Sequence, residues 1–345
     1  MHPISDRLIE WYKVNKRDLP WRNTNDPYKI WLSEIILQQT QVIQGLNYYL
    51  KFVESFPTVT DLANAPEDLV MRLWQGLGYY SRARNLHSAA KHIQVVHKGV
   101  FPKTYIEIKE LKGVGDYTAA AVSSFAFKLP YAVVDGNVYR VLSRLFSIST
   151  PINSTQGKKE FQLIANEIIN VKKPDLHNSA IMEFGALFCK PQKPDCAECP
   201  LQVNCLAFQN KTVQVLPVKI NKTKIKNRYF NYIIFNYKQY VYLSKRNEKD
   251  IWQNLYEFFL IESPEIINEE DVLNNEQLKE LSANFILKNK SVLAKHILSH
   301  QHLYAAFYEL EIDSPLKSKQ FIKIHRSKLI DYALPQLIIR YLQNH

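Results

Sequence analysis

Cysteine is missing from residues 1–188 and 206–345 of this 345-residue chain. That excludes a disulfide scaffold: the four thiols present, Cys189-x6-Cys196-x2-Cys199-x5-Cys205, could staple only one short loop, and the constraint a disulfide imposes grows with the loop it closes. Also missing is any apolar run of about 18 residues, the length a membrane-spanning helix needs. The opening MHPISDRLIEWYK has no hydrophobic stretch of the signal-peptide kind, so a soluble protein of a reducing cytoplasm, with no membrane partner, is expected. No internal repeat or low-complexity segment is evident.

What remains is an ordinary globular composition, 46% hydrophobic and 22% charged, at a length that suits two domains. A formal net charge of +11 favours a polyanionic partner, because basic side chains that neutralise phosphates release counterions. Four soft thiolates within seventeen positions suit a metal or an iron-sulfur cluster. A single close pair between two outlying thiolates leaves structural zinc and iron-sulfur both open on spacing alone.

Residues 5 to 210 read as helical, with apolar side chains at a 3.6-residue period in YKIWLSEIILQQTQV, PEDLVMRLWQ, SRARNLHSAAKHIQVV and KKEFQLIANEIINV, separated by proline and glycine breaks. Residues 211–228, KTVQVLPVKINKTKIKNR, carry six Lys or Arg and no acid and read as a basic linker. Beyond it, YFNYIIFNYKQYVYLSKR and HLYAAFYELEI alternate as strands do, with helical stretches near 275–283 and 328–343. The expected organisation is a helical domain over 1–210, a linker over 211–228 and an α+β domain over 229–345.

In LKGVGDYTAAAV, Gly113 and Gly115 allow a hairpin tight enough to point backbone amides outward from the start of the next helix, where they can hold a DNA phosphate. Here a resemblance becomes specific. LPWR at 19–22, WLSEIILQQTQV at 31–42, GLGYYSRARNLH at 76–87, VVDGNVYRVLSR at 133–144 and the cysteine loop occur in the order found in helix-hairpin-helix DNA glycosylases with a 4Fe-4S cluster. Over residues 5–210 the chain resembles that superfamily, which includes endonuclease III, and most closely its MutY adenine DNA glycosylases.

The resemblance implies a helix-hairpin-helix glycosylase fold with an iron-sulfur cluster loop and a Nudix-like C-terminal domain. It implies a 4Fe-4S cluster on Cys189, Cys196, Cys199 and Cys205, and a monomer acting in the bacterial cytoplasm, at the nucleoid, on double-stranded DNA with A:8-oxoguanine or A:G mispairs. Breaking an N-glycosidic bond needs an acid for the leaving base and a negative charge beside the oxocarbenium-like sugar. By resemblance Glu34 is the acid, protonating the flipped adenine at N7; its neighbours Ile30, Trp31 and Leu37 supply the partly buried setting in which a carboxylic acid keeps a proton to give. Asp135 stands where a helix begins, a capping position, and the resemblance gives it the stabilisation of the sugar cation, or a transient bond to it, with Asn137 orienting the site.

Position 117 decides a subclass. Relatives that also cut the strand carry there a lysine that forms a Schiff base; here it is Tyr117, whose phenol cannot, so a monofunctional glycosylase using water is expected. Tyr139 likewise replaces an incidental lysine of some relatives. The target base must be extruded and the gap filled, and Gln39 and Tyr79 are the expected inserted side chains. Trp21, Arg22 and Tyr117 are expected in the adenine pocket, where Ser179 replaces a Gln or Glu of relatives. Residues 229–345 lack the Glu-rich magnesium-binding helix of Nudix hydrolases, and HILSHQH at 296–302 resembles the family's Phe-Ser-His loop with Leu298 for Phe, leaving Ser299 and His300 as lesion readers.

Overall fold

The computed structural model describes residues 3–220, 225–282 and 284–344. The chain divides into two compact units, the first built from residues 1–64 and 85–221, the second from 65–84 and 222–345. The helices in order are α1 Pro3–Asn15, α2 Pro27–Ile36, α3 Val42–Ser55, α4 Val59–Asn64, α5 Glu67–Leu73, α6 Ser81–Val96, α7 Tyr105–Glu110, α8 Asp116–Phe127, α9 Gly136–Leu145, α10 Thr155–Ile168, α11 Pro174–Leu187 and α12 Leu206–Gln209. Among the described residues no helix is long and apolar enough to cross a membrane.

Local chemistry sets the helix starts that matter. Asp26 caps α2 through Tyr28 N, with Pro27 at its first position, and Thr104 and Glu107 form a reciprocal capping box on α7. The stretch 28–42, expected as one helix, is two. Helix α2 stops at Ile36, Gln39 takes φ +56°, and α3 starts at Val42. Gly45 lets α3 fold back on the break, since a β-carbon there would lie 2.7 Å from Leu37 Cδ2. Gln38 and Gln41 therefore lie outside the helix that carries Glu34.

The core of the first unit joins the apolar stripe of α9 (Val138, Val141, Leu142, Leu145) to Ala180, Ile181 and Phe184 of α11 and Ile4, Leu8 and Ile9 of α1. At about 1.5–3 kcal/mol per fully buried aliphatic or aromatic side chain, this stripe fixes α9, and with it Asp135 at its start. The segment expected as a linker begins against this unit: Leu216 is buried, Arg144 Nε donates to its carbonyl at 3.2 Å, and Ile152 N donates to Val218 O at 3.0 Å.

In the second unit β1 Lys226–Tyr237, β2 Tyr240–Lys245, β3 Tyr256–Glu257, β4 Phe259–Ser263, β5 Phe285–Lys290, β6 Ala294–Ile297, β7 Gln301–Ile312 and β8 Ile322–His325 form one mixed sheet, and α13 Glu269–Leu273, α14 Glu276–Leu281 and α15 Gln336–Asn344 accompany it. The path is β3-β2-β1-β7-β5, with β1 and β7 parallel from Lys226↔Gln301 to Asn236↔Glu311 and the other pairs antiparallel. Val272 of α13 and Leu278 of α14 join Ile233, Phe235, Tyr308 and Leu310 in its core. Segment 65–84 is tied to this unit: Lys245 Nζ lies 2.8 Å from Asp68 Oδ1, Tyr256 OH donates to Asp68 Oδ2 at 3.1 Å, and Arg84 Nη1 donates to Gln253 O at 2.7 Å.

Candidate active site

Glu34, on α2, is 3% exposed, and its carboxylate accepts a hydrogen bond at 2.8 Å from the Tyr117 hydroxyl, at the start of α8. Arg22, from the turn Pro20–Arg22, places Nη1 at 3.3 Å from the other oxygen, while its guanidinium stacks 4.1 Å from the Phe125 ring centroid. Burial pushes the Tyr117 phenol well above its ordinary pKa, and the charges of Glu34 and Asp135 add to this, so it stays a donor.

Asp135 caps α9: Oδ1 accepts from Asn137 N at 2.8 Å and Val138 N at 2.7 Å, and Oδ2 from Asn137 Nδ2 at 3.0 Å. Removal from water raises the pKa of this carboxyl, its three donors oppose the rise, and the nearby Glu34 raises it further. Two carboxyl groups from distant helices thus share one polar recess. A cavity of about 180 Å³ is lined by Glu34, Tyr117, Asp135 and Asn137 together with Trp21, Arg22 and Ser179. Ser179 also borders a smaller polar cavity beside Lys16, Asn25 and Asp175.

Gln39 is absent from the lining of this cavity and stands at the break between α2 and α3. Gly113 and Gly115 form the turn between α7 and α8. Gly113 has φ +82° and approaches Asn85 so closely that a β-carbon would lie 2.6 Å from Asn85 Cβ, whereas Gly115 is extended and serves as the N-terminal cap of α8. In the second unit Tyr79, Ser299 and His300 line a separate cavity of about 420 Å³. Tyr79 is 44% exposed, Tyr80 is the core ring of the pair, and the Tyr79 hydroxyl hydrogen-bonds to Ser299 Oγ. Left-handed backbone at Gly76, Gly78 and Tyr79 turns that ring outward.

Cys189, Cys196, Cys199 and Cys205 are unpaired and line one cavity with Val141, Leu145, Phe184 and Leu201. Arg144 Nη1 donates to Cys189 Sγ at 3.3 Å and to Lys190 O at 2.7 Å, its Nη2 to Pro191 O at 3.1 Å. Burial pushes the Cys199 thiol up to about 12; a hydrogen bond with the Leu201 backbone opposes the rise and the neighbouring sulfurs add to it.

The model of HhH-GPD superfamily base excision DNA repair proteins matches residues 32–169, and that of the NUDIX domain matches 231–344. The adenine DNA glycosylase of Buchnera aphidicola subsp. Baizongia pistaciae is 38% identical over 305 residues, covering 86% of this chain and 83% of that one. This chain belongs to the adenine DNA glycosylase family. The family's protein from Buchnera aphidicola subsp. Acyrthosiphon pisum is 32% identical over 97% of this chain and 93% of its own. A thermostable thymine-DNA glycosylase superposes with a TM-score of 0.56 at 30% identity, over 60% of this chain and 95% of that one. A trapped endonuclease III–DNA covalent intermediate shares the fold, with a TM-score of 0.52 at 23% identity over 60% and 94%.

The enzyme is therefore a DNA N-glycosylase of base excision repair. Its structure adds residues that sequence reasoning passed over. Arg17 grips Glu183 with Nε and Nη2, each at 2.7 Å, on the rim of the Glu34 cavity. Burial alone would raise the Glu183 carboxyl, but the hydrogen bonds and charge of Arg17 win and lower it. Arg140, on α9 one turn beyond Asn137, donates to Asn137 Oδ1 at 2.9 Å and to Cys189 O at 2.8 Å. The available signal was two arginines one turn apart on α9, Arg140 and Arg144, on the side away from its valines and leucines; both are buried, and a buried guanidinium needs several acceptors.

Proposed function

We propose that this glycosylase removes adenine mispaired with 8-oxoguanine or guanine, acting as a monofunctional enzyme on double-stranded DNA. The observation that carries the reading is a buried carboxyl, Glu34, hydrogen-bonded to Tyr117 in the same cavity as Asp135. With adenine extruded into that cavity, Glu34 gives a proton to N7, and the glycosidic electron pair leaves with the base. Asp135, held by Asn137 and the first amides of α9, balances the positive sugar until water adds. Tyr117 and Arg22 fix the Glu34 carboxyl, and Trp21 walls the base. No lysine stands where Tyr117 does, so the sugar is released as an abasic site and the strand stays whole. Tyr79 and Gln39 fill the space the base leaves, the Gly113–Gly115 turn holds a phosphate, and Ser299 and His300 read the opposite base.

The four cysteines fit a 4Fe-4S cluster: their sulfurs form no disulfide and share one cavity, and Arg144 offers an N–H to Cys189. When bound, the cluster cross-links the 189–205 loop; hydrolysis asks no electron of it. The loop then presents Lys190 and Lys193 to the phosphate backbone. Cys199→Ser is expected to lose about half or more of the protein-bound iron, read by elemental analysis and by the brown absorbance. Full iron content in that variant would remove Cys199 from the ligand set.

Duplexes carrying adenine opposite 8-oxoguanine, guanine or thymine test the reaction itself. Alkali-dependent scission is expected for the first two, and borohydride is expected to trap no covalent adduct. Release from the thymine duplex at a comparable rate would overturn the mispair reading, and a trapped adduct would overturn the monofunctional one.

A further inference from the structure

The second unit holds a bulky residue in a conformation that packing alone does not require. Trp252 takes φ +61° and Asn254 φ +67°, the left-handed region that strains a side chain with a β-carbon. The loop between β2 and β3 is built to hold them there. Asn254 N donates to Arg246 O at 2.8 Å, and Arg246 Nε donates to Ile251 O at 3.1 Å. Asp250, two residues before Trp252, accepts from Arg228 Nη2 at 2.7 Å and from Arg246 Nη2 at 2.8 Å. Both arginines are anchored in turn, Arg228 on Glu262 and Arg246 on Glu257, each at 2.7 Å.

The product of this arrangement is an indole in the wall of the 420 Å³ cavity shared with Tyr79, Ser299 and His300. The ring packs edge-on against Phe230, with centroids 6.2 Å apart, and lies 6.0 Å from His296. It is 8% exposed, so only a small part of the side chain reaches the cavity. A cavity of this size with an aromatic wall and a few convergent polar groups suits a purine.

We propose that Trp252 is a specificity-determining residue: its indole is the dry wall of the pocket that receives the purine opposite the target adenine. This rests on the reading of Ser299 and His300 as lesion readers. Guanine and 8-oxoguanine differ at N7 and C8, where the oxidised base has an N–H and a carbonyl in place of an acceptor and a C–H. A hydroxyl and an imidazole can tell these apart, but water filling the gap would satisfy either base. An indole that excludes water makes an unmatched polar edge costly, and that cost is the discrimination.

The test is the ratio of single-turnover adenine release from A:8-oxoguanine to that from A:G, measured with the full-length, cluster-loaded enzyme in excess. An inactive fraction lowers both rates alike and cancels in the ratio, so global misfolding does not move it. Trp252→Leu is expected to lower the ratio about tenfold, equivalent to about 1.4 kcal/mol. Trp252→Phe, which keeps a ring, is expected to lower it about threefold and decides the matter if the leucine variant does not fold. Wild-type ratios in the variants would overturn the role of Trp252 while leaving the proposed function standing. A wild-type enzyme with no preference for 8-oxoguanine would overturn the lesion reading, and this inference with it.

Discussion

Glu34→Gln is expected to bind a mispaired duplex and release almost no adenine. Glutamine matches the shape of glutamate: its one amide oxygen can accept from the Arg22 guanidinium where Oε1 now does, at 3.3 Å, and its NH2 can donate to the Tyr117 hydroxyl oxygen where Oε2 now accepts, at 2.8 Å, so the cavity should persist. What it lacks is an acidic proton. General-acid catalysis is typically worth about 10²- to 10⁴-fold, and a purine leaves poorly as an anion, so a fall of about 10³-fold or more in the single-turnover rate is the expected size. Gel-shift affinity for the A:8-oxoguanine duplex should stay within a few-fold of wild type. A variant that released adenine within about tenfold of wild type would remove Glu34 from the acid's role.

The second large effect separates two duties of one residue. Asp135 caps α9 with Oδ1 and, in the proposed reaction, faces the sugar cation. Asparagine caps helices about as well as aspartate, so Asp135→Asn should change unfolding stability by less than about 1 kcal/mol while lowering adenine release by about 10³-fold, because the charge is gone. Asp135→Ala should lose both duties, with about 0.5–2 kcal/mol of stability lost as well. Denaturant unfolding beside single-turnover rates measures the split; equal, small losses of rate in both variants would leave Asp135 as a cap alone. The pH profile carries the same signature. The reactive form of Asp135 is the carboxylate, and burial raises its pKa, so release should decline on acidification at a pH above the ordinary aspartate range. Asp135→Asn should lose that acid limb in whatever rate remains.

What could be read from the sequence was what short-range chemistry fixes. The glycine turn before α8, the aspartate at the head of α9 and the crowded thiols each lie within one segment, and the helical and sheet-bearing parts follow from the change in apolar period. Trp21, Arg22, Glu34, Tyr117, Asp135 and Asn137 were all named from motifs and line one cavity. The partnerships were not legible. Nothing local says that Arg17 meets Glu183 or that Arg140 joins Asn137 to the carbonyl of Cys189, because both depend on where α1, α9 and α11 pack. The helix break at Gln39 was hidden because the apolar period continues through it; Gly45, a close-approach residue in the following helix, was the clue. Trp252 gave no sign at all, since a left-handed tryptophan is a product of the arginines that pin its loop.

The grouping of residues 65–84 with the sheet-bearing unit has a consequence for dissecting this enzyme. The polypeptide enters that body, leaves it near Arg84 and returns more than a hundred residues later, so the body is discontinuous in sequence. A fragment ending near residue 221 would keep Asp68, Arg84 and Tyr79 but strip them of Lys245, Gln253 and Ser299. The complementary fragment would carry Ser299 and His300 without the tyrosine that shares their cavity. Cutting at the obvious seam therefore bisects a folding body instead of freeing two modules, and an outward-turned ring is divorced from the hydroxyl it leans on.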